Sequence, residues 1–172
     1  MAPIPLTPEQ AALIETANEA IRRVPRSTPL RQITDHTVSA ACLTSHNRTF
    51  TGINTFHFSG SLCAENVAFS NAAADGCSSL NTPGLTKTER GEPEGGLGEK
   101  EWMMCVVAVA NDERGVISPC GRCRQFMFDY YPEIRVIVKT GEGDELGTVG
   151  IDELLPYPYV SGMRKKMASV IG

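Results

Sequence analysis

No apolar run in this 172-residue chain approaches the roughly 20 residues that cross a bilayer. The N-terminus lacks the charged-then-apolar pattern of a secretory leader. The expected compartment is therefore the reducing cytosol, and the six cysteines are expected as thiols rather than disulfides. A basic excess is also missing: 16 Lys and Arg stand against 20 Asp and Glu, for a formal charge of −4 and a pI near 5.4. With aromatics at only 6%, there is no basic, aromatic-laced groove, which disfavours nucleic acid as a partner, and the charge gives no footprint for an anionic membrane. Length and 41% apolar content suit one domain over residues 1–172 with a proper core.

Two cysteine motifs carry the chemistry. Cys63-Ala64-Glu65 and, far downstream, Pro119-Cys120-Gly121-Arg122-Cys123 offer three thiolates for one zinc ion and a carboxylate that need not bind it. A structural zinc site is closed by four protein ligands, whereas a hydrolytic one leaves a position open for water and needs a proton shuttle nearby. In Cys-x-Glu both side chains leave the first turn of a helix toward one cavity, and Cys120 and Cys123, at i and i+3, share a helix face. Pro119 is expected to open that second helix, whose N-terminal dipole favours thiolates. A structural zinc site closed by His57 or Cys105 is the competing reading. Cys42 and Cys105 read as buried small hydrophobes, and Cys77 has no assigned role.

Along the chain, Thr7-Pro8-Glu9-Gln10 forms a capping box, and Leu13, Ile14, Ala17, Ile21 and Val24 follow at helical spacing until Pro25. Val38–Leu43 and Thr49–Ile53 read as antiparallel strands joined through Ser45-His46-Asn47-Arg48. A helix from Cys63 to about Ala74 with Gly76 at its C-terminus leads to a strand at Met103–Ala110. A helix over Cys120–Tyr130, a strand at Arg135–Lys139, a turn through Gly141–Asp144 and a short strand near Gly147–Gly150 follow. The expected fold is α/β, a three-layer α/β/α sandwich around one five-stranded mixed sheet. Residues 77–101, with five Gly, two Pro and eight charged side chains, read as a flexible surface insertion, and 162–172 as an extra C-terminal segment.

These motifs, with Thr51-Gly52-Ile53-Asn54, His57-Phe58, Gly60, Arg114-Gly115, Ser118-Pro119-Cys120-Gly121-Arg122-Cys123-Arg124-Gln125 and Glu153-Leu154-Leu155-Pro156, stand in the order of one family. The chain resembles the cytidine deaminase superfamily and, within it, the small fungal blasticidin S deaminases. The resemblance implies zinc at Cys63, Cys120 and Cys123, one ion per chain, with Glu65 shuttling protons as water adds to C4 of a cytosine ring and ammonia leaves. It also implies that Asn54 binds the sugar-like ring, the Ala64 backbone the base carbonyl and Ser118 the exocyclic amine. Arg114 would meet a substrate carboxylate, and Tyr159, Thr37 and Phe58 would line the pocket, with Phe56 beside Phe58. Three thiolates leave zinc with a net negative charge. Asn66 stands where nucleoside-specific members often carry Arg, so Arg122 and then Arg124 are the candidates to offset it.

Free-nucleoside members carry Asn-x-Glu where this chain has Asn54-Thr55-Phe56. The missing carboxylate removes an acceptor for a ribose hydroxyl and a repulsion against an acidic substrate, which points to blasticidin S ahead of cytidine or deoxycytidine. Ser161 stands where the blasticidin S deaminases that the chain resembles have Trp. A homotetramer is implied by the resemblance. The non-enzyme alternative is a member that keeps zinc for stability and binds a ligand without turnover, for which Glu65 would have no use.

Overall fold

The computed structural model describes residues 4–32, 34–77, 79, 101–111, 115–140 and 144–160. Arg114, most of the 77–101 insertion and the 162–172 segment lie outside them. The Gln10 amide donates to Thr7 Oγ1 (3.3 Å) and the Thr7 amide to Gln10 Oε1 (3.0 Å). This capping box starts helix α1, Pro8–Arg22, at a proline whose missing N–H the first turn does not need. Leu13, Ala17 and Ile21 form its buried face, and Ile14 and Val24 pack at the margin. The helix stops short of Pro25, and the Val24 amide turns back onto the Ile21 carbonyl (3.0 Å).

Strands β1 (Val38–Thr44) and β2 (Thr49–Ile53) form the expected hairpin, with Asn47 in the left-handed region (φ 57°) at its turn. The other strands are β3 (Met103–Ala110), β4 (Gly115–Ile117), β5 (Arg135–Lys139) and β6 (Leu146–Gly150), in the spatial order β2-β1-β3-β5-β6. β3 runs antiparallel to β1 and parallel to β5, so the sheet is mixed. It has six strands, one more than expected. The addition is β4, which pairs with Ala108–Ala110 on the edge of β3 that β5 occupies at Cys105 and Val106. Three residues opening on a glycine at φ 64° are too few for alternation to register in the sequence.

Alternate side chains of each central strand go to opposite faces. Ala40, Cys42, Val106, Ala108, Val136 and Val138 meet helices α2 (Ala64–Ala74) and α3 (Gly121–Tyr130) through Ala68, Phe69, Ala72, Cys123 and Met127. Ala41, Leu43, Cys105, Val107, Val109 and Ile137 meet Leu13, Ala17 and Ile21 of α1. The three-layer α/β/α arrangement follows. Phe69 lies in the core, its ring 4.8 Å from that of Tyr131. A last short helix, α4, spans Ile151–Leu154.

Two contacts fix α2 on the sheet. At its start, Gly52 lets the backbones of β2 and α2 touch: a Cβ there would lie 2.4 Å from both the Ala64 carbonyl oxygen and the Ala68 nitrogen. At its far end Arg48, on the hairpin, pairs with Asp75 and donates from Nε to both oxygens of buried Glu101 (3.0 and 2.9 Å), while the Thr44 hydroxyl donates to the same carboxylate. The Arg48 hydrogen bonds hold the Glu101 carboxyl below its usual range against the opposing effect of burial. The chain on both sides of the insertion is thereby fastened at the hairpin end. The 11 residues of α2 separate that end from Cys63 by about 16 Å.

Substituting Gly52→Ala is expected to cost about 1–3 kcal/mol of stability and to weaken zinc binding, because it displaces the turn that carries Cys63. Thermal unfolding and a chelator-competition titration of zinc check this; unchanged values in both would show that the contact is not needed.

Candidate metal centre and active site

Two helix N-termini meet beside the carboxyl-terminal ends of β2 and β3. Cys63 is the N-cap of α2 and Cys120 the N-cap of α3, and neither sulfur caps its own helix. Cys123 follows one turn into α3, and Glu65 lies in the first turn of α2. Pro119 does not open α3 as expected. Cys120 keeps an extended backbone (φ −65°, ψ 164°), so Gly121 takes the first helical position and Pro119 stands outside it. Its carbonyl accepts from Arg124 Nε (2.8 Å).

The three sulfurs all lie within 4.8 Å of one another, with Cys63 Sγ and Cys120 Sγ 3.6 Å apart. Tetrahedral zinc–sulfur bonds of about 2.3 Å place sulfurs about 3.8 Å from each other, so the donor set fits that ion. Among the described residues no fourth Cys, His or carboxylate joins the cluster. His57 Nδ1 is engaged by Ser59 Oγ at 2.5 Å, and Cys105 faces α1 on the opposite side of the sheet. A site closed by either residue is therefore not built here.

The electrostatics of the bare protein separate these thiols from the others. All six cysteines are unpaired. Burial pushes Cys42 and Cys105 up to about 12 and Cys77 up to about 11, which makes them inert core thiols; Cys77 Sγ bonds the Glu101 carbonyl (3.5 Å). Burial raises Cys63 and Cys123 as well, and Glu65 adds to the rise at Cys123. At Cys120, burial is outweighed by the hydrogen bond from the Cys123 backbone and by those with the Cys63 and Cys123 thiols, so its thiol is held below the usual range. Crowded sulfur donors that resist carrying charge alone are satisfied by a divalent cation, which favours their thiolate forms. Glu65 is 5% exposed, and burial raises its carboxyl against an opposing hydrogen bond with Cys123.

The remaining expected site residues are distributed unevenly. Asn54 and Thr37 are together: Asn54 Oδ1 accepts from the amides of Thr37 (2.7 Å) and Val38 (2.8 Å), and its Nδ2 faces Thr37 Oγ1 at 3.4 Å. Thr55 and Leu62 form a two-bond bridge (3.0 and 3.1 Å) that sets Asn54 across from Cys63. Ala64 is buried behind Cys63, and Ser118 is exposed two residues before Cys120. Arg122 donates to the Ser61 carbonyl (2.8 Å), and Arg124 to the carbonyls of Pro119 and Leu154, so both guanidinium groups lie on backbone beside the cysteine segments. Among the described residues Phe58 and Tyr159 stand 93% and 76% exposed.

Two residues without an expected role help to shape the site. Gln125 holds the Tyr159 backbone with both ends of its amide (2.8 and 2.9 Å), and His36 Nδ1 lies 2.7 Å from the Asn54 carbonyl. Both are side-chain contacts to backbone remote in sequence, which leave no local pattern to read.

Residues 14–139 match the cytidine and deoxycytidylate deaminase zinc-binding region. The chain is 26% identical over 163 residues to a blasticidin-S deaminase of Bacillus cereus, covering 90% of this chain and 94% of that protein. Its fold resembles the cytidine deaminase of Burkholderia pseudomallei, with a TM-score of 0.58, 26% identity and coverage of 90% and 100% of the two chains. The cytidine deaminase of Bacillus anthracis superposes with a TM-score of 0.61 at 19% identity, covering 95% of this chain and 97% of that one. Among the described residues no helix is long and apolar enough to cross a membrane. With a match that spans residues 14–139, more than half of the chain, and a thiol triad inside it, the chain belongs to the family of the cytidine and deoxycytidylate deaminase zinc-binding region.

Proposed function

We propose that this family member is a hydrolytic deaminase that converts the cytosine ring of blasticidin S to uracil and releases ammonia, with Cys63, Cys120 and Cys123 as zinc ligands and Glu65 as the proton shuttle. The observation that carries the reading is a buried carboxyl beside a three-sulfur cluster that it does not join. Zinc, when held by the three sulfurs, supplies the Lewis acid that makes a water nucleophilic near neutral pH. Glu65 takes a proton from that water and delivers it to ring N3 as the water oxygen bonds to C4. It then carries the second proton to the exocyclic amine, the C4–N bond breaks, ammonia leaves and a carbonyl remains. A carboxyl raised by burial is suited to holding and returning a proton in this way. A member that kept zinc only for stability would not need it.

The Ala64 backbone and Ser118 are proposed contacts to the base, and Asn54 with Thr37 to the sugar-like ring. Arg122, held two residues before Cys63, is the first proposed source of positive charge against three thiolates, and Arg124 the second. The substrate reading rests on charge. Asn54 Oδ1 is already taken by two backbone amides, so this residue offers a ligand only N–H groups. Phe56 stands where a carboxylate would accept a ribose hydroxyl. An acidic sugar ring such as that of blasticidin S suits donors without an opposing carboxylate, and Arg114 is its proposed further partner. The Bacillus cereus relative supports the same substrate. Cytidine or deoxycytidine is the second reading, favoured by the cytidine deaminases that share the fold. The reducing cytosol is the proposed compartment, since the three ligand thiols must stay unoxidised.

A panel of blasticidin S, cytidine and deoxycytidine followed by ultraviolet absorbance tests both levels. Blasticidin S is expected to turn over ahead of the nucleosides, and Glu65→Gln to lose about 10²–10⁴-fold or more in kcat while retaining one zinc per chain. Cytidine turnover with blasticidin S untouched would transfer the assignment to the second reading, and loss of zinc from the Glu65 variant would make Glu65 a ligand.

A homotetramer is the proposed assembly. Phe58, Tyr157 and Tyr159 stand 76–94% exposed, aromatic surface that a neighbouring chain would cover. Light scattering at assay concentration should report the mass of about four chains; an active monomer would refute it.

A further inference from the structure

Strand β2 leads directly into Asn54, where a short, dense set of contacts gathers. The Asn54 amide donates to the Val38 carbonyl (3.0 Å), the Phe56 amide to the Asp35 carbonyl (3.0 Å) and the Asn111 amide to the Thr37 carbonyl (2.9 Å). Three chain segments are tied together there, one step across the Thr55–Leu62 bridge from Cys63. Two backbone N–H groups face Asn54 Oδ1, and because an N–H only donates, the atom between them must be the oxygen. The amide orientation is therefore fixed, with Nδ2 turned away from both. The same logic applies to His36. A carbonyl only accepts, so His36 Nδ1, 2.7 Å from the Asn54 oxygen, must carry a proton. On its other side Nε2 is 3.7 Å from Asp35 Oδ2, beyond hydrogen-bonding distance, so the Asn54 contact is the one that sets the ring.

We propose that His36 is a positioning residue of the deaminase site: its Nδ1–H holds the Asn54 carbonyl, and with it the Asn54 amide as a donor to the ring of the substrate. The inference rests on the reading of Asn54 as a substrate contact and extends it to a residue that touches neither base nor metal. Without His36 the Asn54 carbonyl would turn to water, and the segment 54–56 would be held by its backbone bonds and the Asn54 side chain alone. A misplaced donor weakens binding of the ring without altering the proton transfers at Glu65, so the loss falls on KM.

The test uses the full-length, zinc-loaded protein and whichever of blasticidin S or cytidine the native protein turns over faster. His36→Leu is expected to raise KM about five- to tenfold, the size of one lost hydrogen bond, with kcat within about twofold and zinc content unchanged. His36→Asn, whose Nδ2 occupies the place of Nδ1, should restore KM. In an Asn54→Asp background, which keeps the oxygen for Thr37 and Val38 but removes the donor, His36→Leu should add nothing to KM. Amide exchange at Thr37 and Val38, measured without substrate, should accelerate in His36→Leu and recover in His36→Asn. An unchanged KM, a fall confined to kcat, or the same His36→Leu effect in the Asn54→Asp background would each overturn the proposal. A native protein inactive on both substrates would instead overturn the reading on which it rests, so the two failures are distinguishable.

Discussion

The contact between β2 and α2 at Gly52 is the constraint on which the site depends. It brings the start of α2 against the sheet with no side chain between, so that Cys63 and Glu65 emerge where α3 begins. Cys120 and Cys123 then complete a cluster less than 5 Å across from two segments separated by 57 residues. Each helix contributes its N-terminus, where the dipole and unpaired N–H groups favour negative charge. An anion-favouring junction loaded with sulfur and one carboxyl is poorly satisfied alone and well satisfied around a divalent cation. Zinc is thus a consequence of packing as much as of ligand identity.

The rest of the fold keeps that junction in place from a distance. Arg48, Glu101 and Asp75 fasten the far end of α2 to the hairpin, and the aromatic packing of Phe69 against Tyr131 locks α2 against the end of α3. Breaking a buried, multiply bonded carboxylate strands a charge, and such losses are larger than the worth of an exposed ion pair. The insertion springs from this remote end. Its roots are separated from the metal ligands by the length of α2.

Much of this was legible in the sequence because it is periodic or chemically conspicuous. Leu13, Ala17 and Ile21 repeat at helical spacing, Met103–Ala110 is a continuous apolar strand, and two cysteine motifs with a carboxylate between them are rare enough to read as one site. β4 escaped because three residues cannot show alternation, and Pro119 misled because Cys120 stays extended as the N-cap and the helix starts only at Gly121. Asn54 was expected to face substrate, and its oxygen proves committed to Thr37 and Val38. That commitment, like the contacts of His36 and Gln125, joins residues remote in sequence through backbone partners, and no local pattern encodes it.

The central claim is that three sulfurs hold a zinc ion whose remaining position is left to a light atom, as hydrolysis requires. X-ray absorption at the zinc K-edge of the purified protein tests this most directly. The account predicts three sulfur neighbours at about 2.3 Å and a single oxygen or nitrogen at about 2.0 Å. Four sulfur neighbours would mean a closed structural site and would contradict it.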